Sequence, residues 1–247
     1  AVLMVLGGIG TGNMIQANAI AKVFEFNFSV DPYISGACLS LLVFVVIIGG
    51  IKSIARMAEV TVPVMTGLYL FVGIIILVLN FSSIPDAFML IFDGAINGTA
   101  AAGGFAGVAI KAAIQAGVAR GLYSNEAGAG SAAIAHGSSE NTDPIKQGEI
   151  AMLGTFIDTI VVCTLTALII LTVQVEIADG VFQSAWQLTG SNAVLTSRAF
   201  SAGIWGGGYV VILGQIIFAF TTIITWSFYV ESAAVFIGGE KVAKISG

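Results

Sequence analysis

The chain has 247 residues, of which 57% are hydrophobic and only 9% are charged, and its mean hydropathy is +1.00. Soluble domains carry about a quarter charged residues, so this composition excludes a water-soluble globular protein and predicts one that resides in a membrane. The net charge is −5 and no cluster of Lys and Arg is present, which argues against a nucleic-acid-binding surface.

Six apolar stretches are long enough to cross the hydrocarbon core as helices, which takes roughly 18 or more apolar residues. They occupy residues 1–24, 33–50, 59–80, 87–119, 150–174 and 208–237. They are too long for strands and lack the alternation of a membrane barrel. We therefore predict an all-α polytopic membrane protein with a single transmembrane domain over residues 1–247. Because Ala1 opens directly into an apolar helix, and the end is equally abrupt, we expect truncation at both ends.

Basic residues are distributed unequally among the predicted connections. The stretches 51–58 and 120–149 and the tail after residue 238 contain most of the Lys and Arg, whereas the alternate connections are acidic apart from Arg198. Cytoplasmic loops are enriched in Lys and Arg. We therefore predict a multi-pass protein of the plasma (inner) membrane with 51–58 and 120–149 in the cytoplasm. The outer connection at 175–207 is expected to fold as short helices.

The first segment carries glycines and amides on one helical face. Gly8, Gly12 and Gln16 recur every four residues, and Asn13 stands three before Gln16, whereas Asn18 points elsewhere. An amide both donates and accepts hydrogen bonds. It therefore suits a zwitterionic ligand, or it joins neighbouring helices, and both interpretations stay open.

The fourth segment is rich in glycine at its middle. Residues 94–107 contain five glycines, among them Gly98, Gly103 and Gly104, and each weakens a helix interior by about 1 kcal/mol. Non-helical backbone at membrane depth survives where protein or a water-filled cavity satisfies its polar groups. We favour a broken helix lining a site over a continuous helix packed closely on a neighbour.

Asp158 is an ionisable residue inside the fifth segment, roughly 12 Å along the axis from its inner end. Such a residue is a functional candidate by default. It could ligate a cation, carry a proton, or accept hydrogen bonds from the unwound part of the fourth segment. We slightly favour the hydrogen-bonding role, because Thr159 and the nearby glycines offer donors.

The sixth segment carries a polar and aromatic stripe at spacings of three and four residues, formed by Gln215, Phe218, Thr222 and Trp226, with Thr221 beside it. Threonine hydroxyls together with freed backbone carbonyls suit Na⁺. Alternatively, each hydroxyl bonds back to the carbonyl four residues earlier.

His136 is the only histidine and lies in the predicted cytoplasmic loop. Without a second histidine or a cysteine pair, neither a metal centre nor an enzymatic cofactor is expected. An intramembrane hydrolase is also disfavoured, because no nucleophile and base are paired at membrane depth. We therefore do not expect an enzyme.

The stretch that follows the fourth segment, residues 117–136, reads Gly-Val-Ala-Arg-Gly-Leu-Tyr-Ser-Asn-Glu-Ala-Gly-Ala-Gly-Ser-Ala-Ala-Ile-Ala-His. It closely resembles the signature of the alanine or glycine:cation symporter family. Four further motifs agree in order: Gly-Asn-Met-Ile-Gln-Ala-Asn-Ala-Ile-Ala at 12–21, Gly-Gly-Ile-Lys at 49–52, Gly-Thr-Phe-Ile-Asp-Thr at 154–159 and Phe-Ala-Phe-Thr-Thr at 218–222.

The resemblance implies a leucine-transporter-like inverted-repeat fold, with the six segments matching core helices three to eight. It implies cation-coupled symport of small amino acids such as alanine or glycine by alternating access across the membrane. The coupling cation is expected to be Na⁺, with H⁺ left open. The implied substrate-binding residues are Asn13, Gln16, Gly103, Gly104, Phe105 and Trp226; the implied Na⁺ ligands are Thr221 and Thr222; the implied structural or coupling residues are Asp158, Thr159, Asn125 and Glu126.

A rival interpretation assigns the same helices to a membrane protein that is not a transporter. The chain would then belong to a membrane channel or a scaffold subunit. Saturable uptake that requires a cation gradient would exclude this alternative, and neither alternative involves nucleic acid.

Overall fold

The computed structural model describes residues 1–96, 106–126, 128–188 and 192–239, and helices dominate it. The α-helices are α1 (Val2–Gly7), α2 (Ile15–Phe28), α3 (Pro32–Ile48), α4 (Gly50–Leu79), α5 (Ile84–Ile96), α6 (Ala106–Asn125), α7 (Ser131–Gly137), α8 (Pro144–Phe156), α9 (Thr164–Thr172), α10 (Asn192–Gly203) and α11 (Gly207–Gly238). Two π-helical stretches, π1 (Gly8–Met14) and π2 (Ile157–Cys163), continue the helices on either side of them. Short 3₁₀ turns cover Phe81–Ser83 and Ala185–Gln187, and the strands are β1 (Gln174–Ala178) and β2 (Val181–Ser184).

Contacts divide the chain into two compact units. The first unit comprises Ala1–Val72 and Thr189–Gly247, and the second comprises Gly73–Leu188. Helix α4 contributes its first part to the first unit and its last turns to the second.

The first unit is built around α11. The continuous run α1–π1–α2 lies along α11, α3 packs on both α2 and α11, and α10 packs on α11 and α2. Its core contains Ile20, Leu39, Ala219 and Ile223. Near this core, the glycines of π1 lie against Trp226 and Val230 of α11, and this contact defines the candidate site in the unit.

In the second unit, α9 packs on α5, and π2 packs on α6. The last turns of α4 approach α9 where Gly73 faces Leu165 and Ile169; an added Cβ at Gly73 would lie 2.3 Å from Leu165 Cδ2. Glycine at this position favours the close approach of the two helices.

Two helices begin at an Asp-Pro pair, as their sequence chemistry dictates. The Asp31 carboxylate accepts the Tyr33 N–H over 2.8 Å at the start of α3. The Asp143 carboxylate accepts the Ile145 N–H over 3.0 Å at the start of α8. Each proline occupies the first helical position, where no backbone donor is needed.

Ser29 ends α2 in the left-handed region, with φ at +53°. A non-glycine residue is disfavoured there by about 1 kcal/mol or more. Ser29→Gly is therefore expected to raise the melting temperature of the full-length protein in detergent by a few degrees, since the free energy of unfolding gains roughly 0.5–1 kcal/mol. Ser29→Ala is the control and should bring no gain. A lower melting temperature for the glycine variant would contradict the assignment of this cap.

Three helices are long and apolar enough to span a membrane among the residues that the structure describes: Gly50–Leu79, the continuous run Pro144–Thr172, and Gly207–Gly238. They contain or nearly contain the predicted segments 59–80, 150–174 and 208–237. Helix α3 corresponds to segment 33–50 but is shorter, and segment 1–24 corresponds to the run α1–π1–α2, which continues to Phe28.

The predicted boundaries were wrong at two connections. Residues 51–58 are not a loop; they form the first turns of α4, and the chain instead turns at Gly49 and Gly50, where Gly50 has φ at +65°. Lys and Arg are good helix formers, so basic residues mark an interface without ending a helix. The stretch 120–149 likewise contains the end of α6, all of α7 and the start of α8.

The predicted segment 87–119 corresponds to two helices, α5 and α6. The glycine-rich centre, with Gly98, Gly103, Gly104 and Phe105, lies outside the described residues. The predicted break in this segment therefore stays a prediction.

The expectation of helices throughout 175–207 was wrong for its first part, which forms a β-hairpin. Strands β1 and β2 pair antiparallel, with Ala178 opposite Val181 across an Asp179-Gly180 turn. Gly180 has φ at +76°, and the Glu176 carboxylate accepts its N–H over 3.0 Å. Asp-Gly between β-branched and aromatic residues is a strong hairpin signal. This turn signal determines the structure of the first part of the connection. The later part contains the helix α10.

Candidate functional site

The glycines of π1 form a close contact with α11. An added Cβ at Gly12 would lie 2.4 Å from Trp226 Cδ2 and 2.7 Å from Cγ, and one at Gly8 would lie 2.1 Å from Val230 Cγ2. The Trp226 indole therefore lies directly on the backbone of π1. The indole also meets the Tyr229 ring edge to face, at 5.5 Å between centroids. Only glycine permits this approach of an aromatic ring to a helix backbone.

Asn13 follows Gly12 in the same π-helical stretch. Its Oδ1 is buried and has no hydrogen-bond partner within the described parts of the chain. A buried carbonyl oxygen without a donor is costly by roughly 1–3 kcal/mol, and such atoms call for a partner such as an ion, a water or a ligand. π-Turns within α-helices are rare and frequent at functional sites. Gln16, the other predicted amide, is half-buried in the first turn of α2.

The two predicted cation ligands lie on α11, one turn before Trp226. Thr221 is buried, and its hydroxyl donates to the carbonyls of Ile217 and Phe218, each over 3.0 Å. The Thr222 hydroxyl donates to the Phe218 carbonyl over 2.7 Å. These are the backward bonds of the alternative interpretation. Each bond uses the hydroxyl proton only, so the lone pairs of each oxygen are left for a further partner.

A second polar cluster lies in the second unit, where π2 meets the end of α6. Ser124 Oγ donates to Asp158 Oδ2 over 2.6 Å, and Thr159 Oγ1 approaches the same oxygen at 3.4 Å. Asn125 Nδ2 donates to Thr159 Oγ1 over 2.8 Å. The Asp158 carboxylate is thus an acceptor from side-chain hydroxyls of two helical elements.

Glu126 follows this cluster directly and has φ at +54°. Its carboxylate accepts the Ser131 hydroxyl over 2.7 Å, and Ser131 is buried at the start of α7. Gly128 and Gly130 also have positive φ, which glycine adopts without steric cost. Through Ser131, the Glu126 side chain joins the end of α6 to the start of α7.

The predicted site residues fall into three groups. Asn13, Gln16, Trp226, Thr221 and Thr222 belong to the first unit, whereas Asp158, Thr159, Asn125 and Glu126 belong to the second. Gly103, Gly104 and Phe105 lie outside the described residues.

Sequence reasoning missed Ser124 and Cys163 as members of this cluster. Ser124 Oγ lies 3.8 Å from Cys163 Sγ as well as bonding Asp158. Cys163 is five residues after Asp158, a spacing that turns the two apart on an α-helix but returns them to one face in a π-turn. No local signal in the sequence reveals a π-turn, so the position of Cys163 beside this cluster could not be predicted.

Comparison with known proteins agrees with the family resemblance of the sequence motifs. The sodium:alanine symporter family profile matches residues 1–246. The chain is 41% identical over 232 residues to the sodium/alanine symporter AgcS of Methanococcus maripaludis, covering 94% of this chain and 49% of that protein. It is 39% identical to an uncharacterized transporter of Haemophilus influenzae, covering 96% and 50% of the two chains.

A third relative is the "Probable sodium/glutamine symporter GlnT" of Bacillus subtilis, which is 35% identical over 93% of this chain and 45% of that protein. The chain thus spans about half the length of the curated relatives it matches. The match of the family profile over nearly every residue, together with these relatives, establishes that the chain belongs to the sodium:alanine symporter family.

Proposed function

We propose that the full-length protein is a secondary transporter that carries a small amino acid into the cell together with Na⁺. The observation that carries this proposal is the buried, unpartnered Asn13 Oδ1 in π1, next to the point where Trp226 lies on Gly12. A buried amide oxygen without a donor offers an acceptor for an ammonium group, and the Trp226 ring on the neighbouring Gly12 offers an apolar wall for a short side chain.

Alanine or glycine is the proposed substrate. The name of the Methanococcus maripaludis relative specifies alanine, and that of the Bacillus subtilis relative specifies glutamine. Trp226 would act as a lid over a small side chain, and Gln16 would supply a second polar contact. Gly103, Gly104 and Phe105 would contribute backbone or ring contacts, as the family resemblance implies.

The proposed cation ligands are the hydroxyl oxygens of Thr221 and Thr222. Their protons are engaged by backbone carbonyls of α11, which fixes the oxygens and leaves their lone pairs available. Neutral oxygens are the ligands that hard cations of low charge accept in proteins. Na⁺ is favoured over H⁺, because a threonine hydroxyl offers no site that titrates in the physiological range.

Coupling follows from a shared conformational equilibrium: a cation that stabilises the substrate-ready conformation raises the affinity for the amino acid, and the reverse also holds. Asp158, Thr159, Asn125 and Glu126 would act in the structural changes rather than in ligand contact. The protein would reside in the plasma membrane, with residues 120–149 and the basic start of α4 on the cytoplasmic side.

The competing proposal is a channel or scaffold subunit built on the same helices. A channel would give flux that does not saturate and that needs no cation gradient. The family to which the chain belongs consists of symporters, which favours transport.

A variant series at Thr222 tests the cation ligands. Thr222→Val keeps the shape of the side chain but removes its oxygen, so we expect the Na⁺ concentration for half-maximal alanine uptake to rise at least about tenfold. Thr222→Ser retains the oxygen and should stay within about threefold of the wild type. Uptake into proteoliposomes of the full-length protein, measured over a range of Na⁺ concentrations, provides the comparison.

Ser227→Ala is the matched control. Its hydroxyl makes the same backward bond, to the Ile223 carbonyl over 2.9 Å, on another face of α11. It should leave the Na⁺ dependence unchanged. An unchanged Na⁺ dependence in Thr222→Val would remove Thr222 from the cation site.

A further inference from the structure

We draw no further inference here: the strongest candidate, the polar side-chain cluster between α7 and α8 in which Gln147 Nε2 lies 2.7 Å from His136 Nδ1 and Gln147 Oε1 accepts hydrogen bonds from Ser139 and Asn141, carries none because nothing in the described parts of the chain shows a ligand for this cluster or a second arrangement of its bonds.

Discussion

Replacing Gly12 with alanine is expected to lower alanine uptake by the full-length protein more than about tenfold. The new methyl group would lie 2.4, 2.7 and 2.8 Å from three atoms of the Trp226 ring, which is closer than non-bonded carbons approach. The three atoms belong to the body of the indole, so no terminal group can simply rotate away. Either the ring leaves the surface of π1 or α11 moves away from it.

Overpacking of this kind costs about 1–3 kcal/mol of stability, and misplacement of a binding group by about 1 Å can lower activity on the order of a hundredfold. We therefore expect uptake to fall more than about tenfold while the protein still purifies as a folded monodisperse species. Trp226→Phe in the Gly12→Ala background removes part of the clash and should restore part of the uptake.

Gly10→Ala is the matched control, because Gly10 lies in the same π-helical stretch and an added Cβ there meets nothing within 4 Å. Both substitutions change the backbone freedom of a glycine in π1, and only one of them touches Trp226. Equal effects of the two substitutions would show that the loss comes from the backbone of π1 and not from the position of the indole.

Two substitutions of Asp158 distinguish the effect of losing its charge from the effect of losing its hydrogen bonds. Asp158→Ala removes the acceptor for Ser124 and the neighbour of Thr159, and we expect a loss of about 1.5–3 kcal/mol in the free energy of unfolding, typical of hydrogen bonds to a charged group. Uptake should fall together with the stability, because the hydrogen bond from Ser124 that holds α6 to π2 is lost. Asp158→Asn keeps an oxygen acceptor and should retain most of the stability.

Thermal unfolding and Na⁺ titrations of the same two variants provide the measurements. The hydrogen-bonding interpretation predicts an asparagine variant that is nearly as stable as the wild type and has an unchanged Na⁺ dependence. An asparagine variant that folds normally but needs much more Na⁺ would instead identify the Asp158 carboxylate as a cation ligand. Ser124→Ala removes the donor alone and should be milder than Asp158→Ala.

Local chemistry made several helices predictable from the sequence. The Asp31-Pro32 pair determines the start of α3, and the long apolar runs determine α4, α8–α9 and α11. The glycine face at Gly8 and Gly12 also meets a neighbour, as its spacing of four residues indicated. These features depend on residues close together in the chain.

Other features depend on contacts between distant residues and could not be predicted. The backbone around Asn13 and Asp158 is π-helical, and the glycines next to Asn13 do not by themselves distinguish a π-turn from an α-helix. The bond between Ser124 and Asp158 joins residues 34 positions apart. The hairpin at Asp179-Gly180 is different, since its turn signal was present in the sequence and the expectation of short helices overlooked it.

The most direct test of the proposed symport is uptake of labelled alanine into proteoliposomes of the full-length protein, with and without an inward Na⁺ gradient. We expect saturable uptake that requires the Na⁺ gradient and is inhibited by unlabelled glycine. Uptake driven equally well by a pH gradient without Na⁺, or flux that needs no gradient and does not saturate, would contradict sodium-coupled symport.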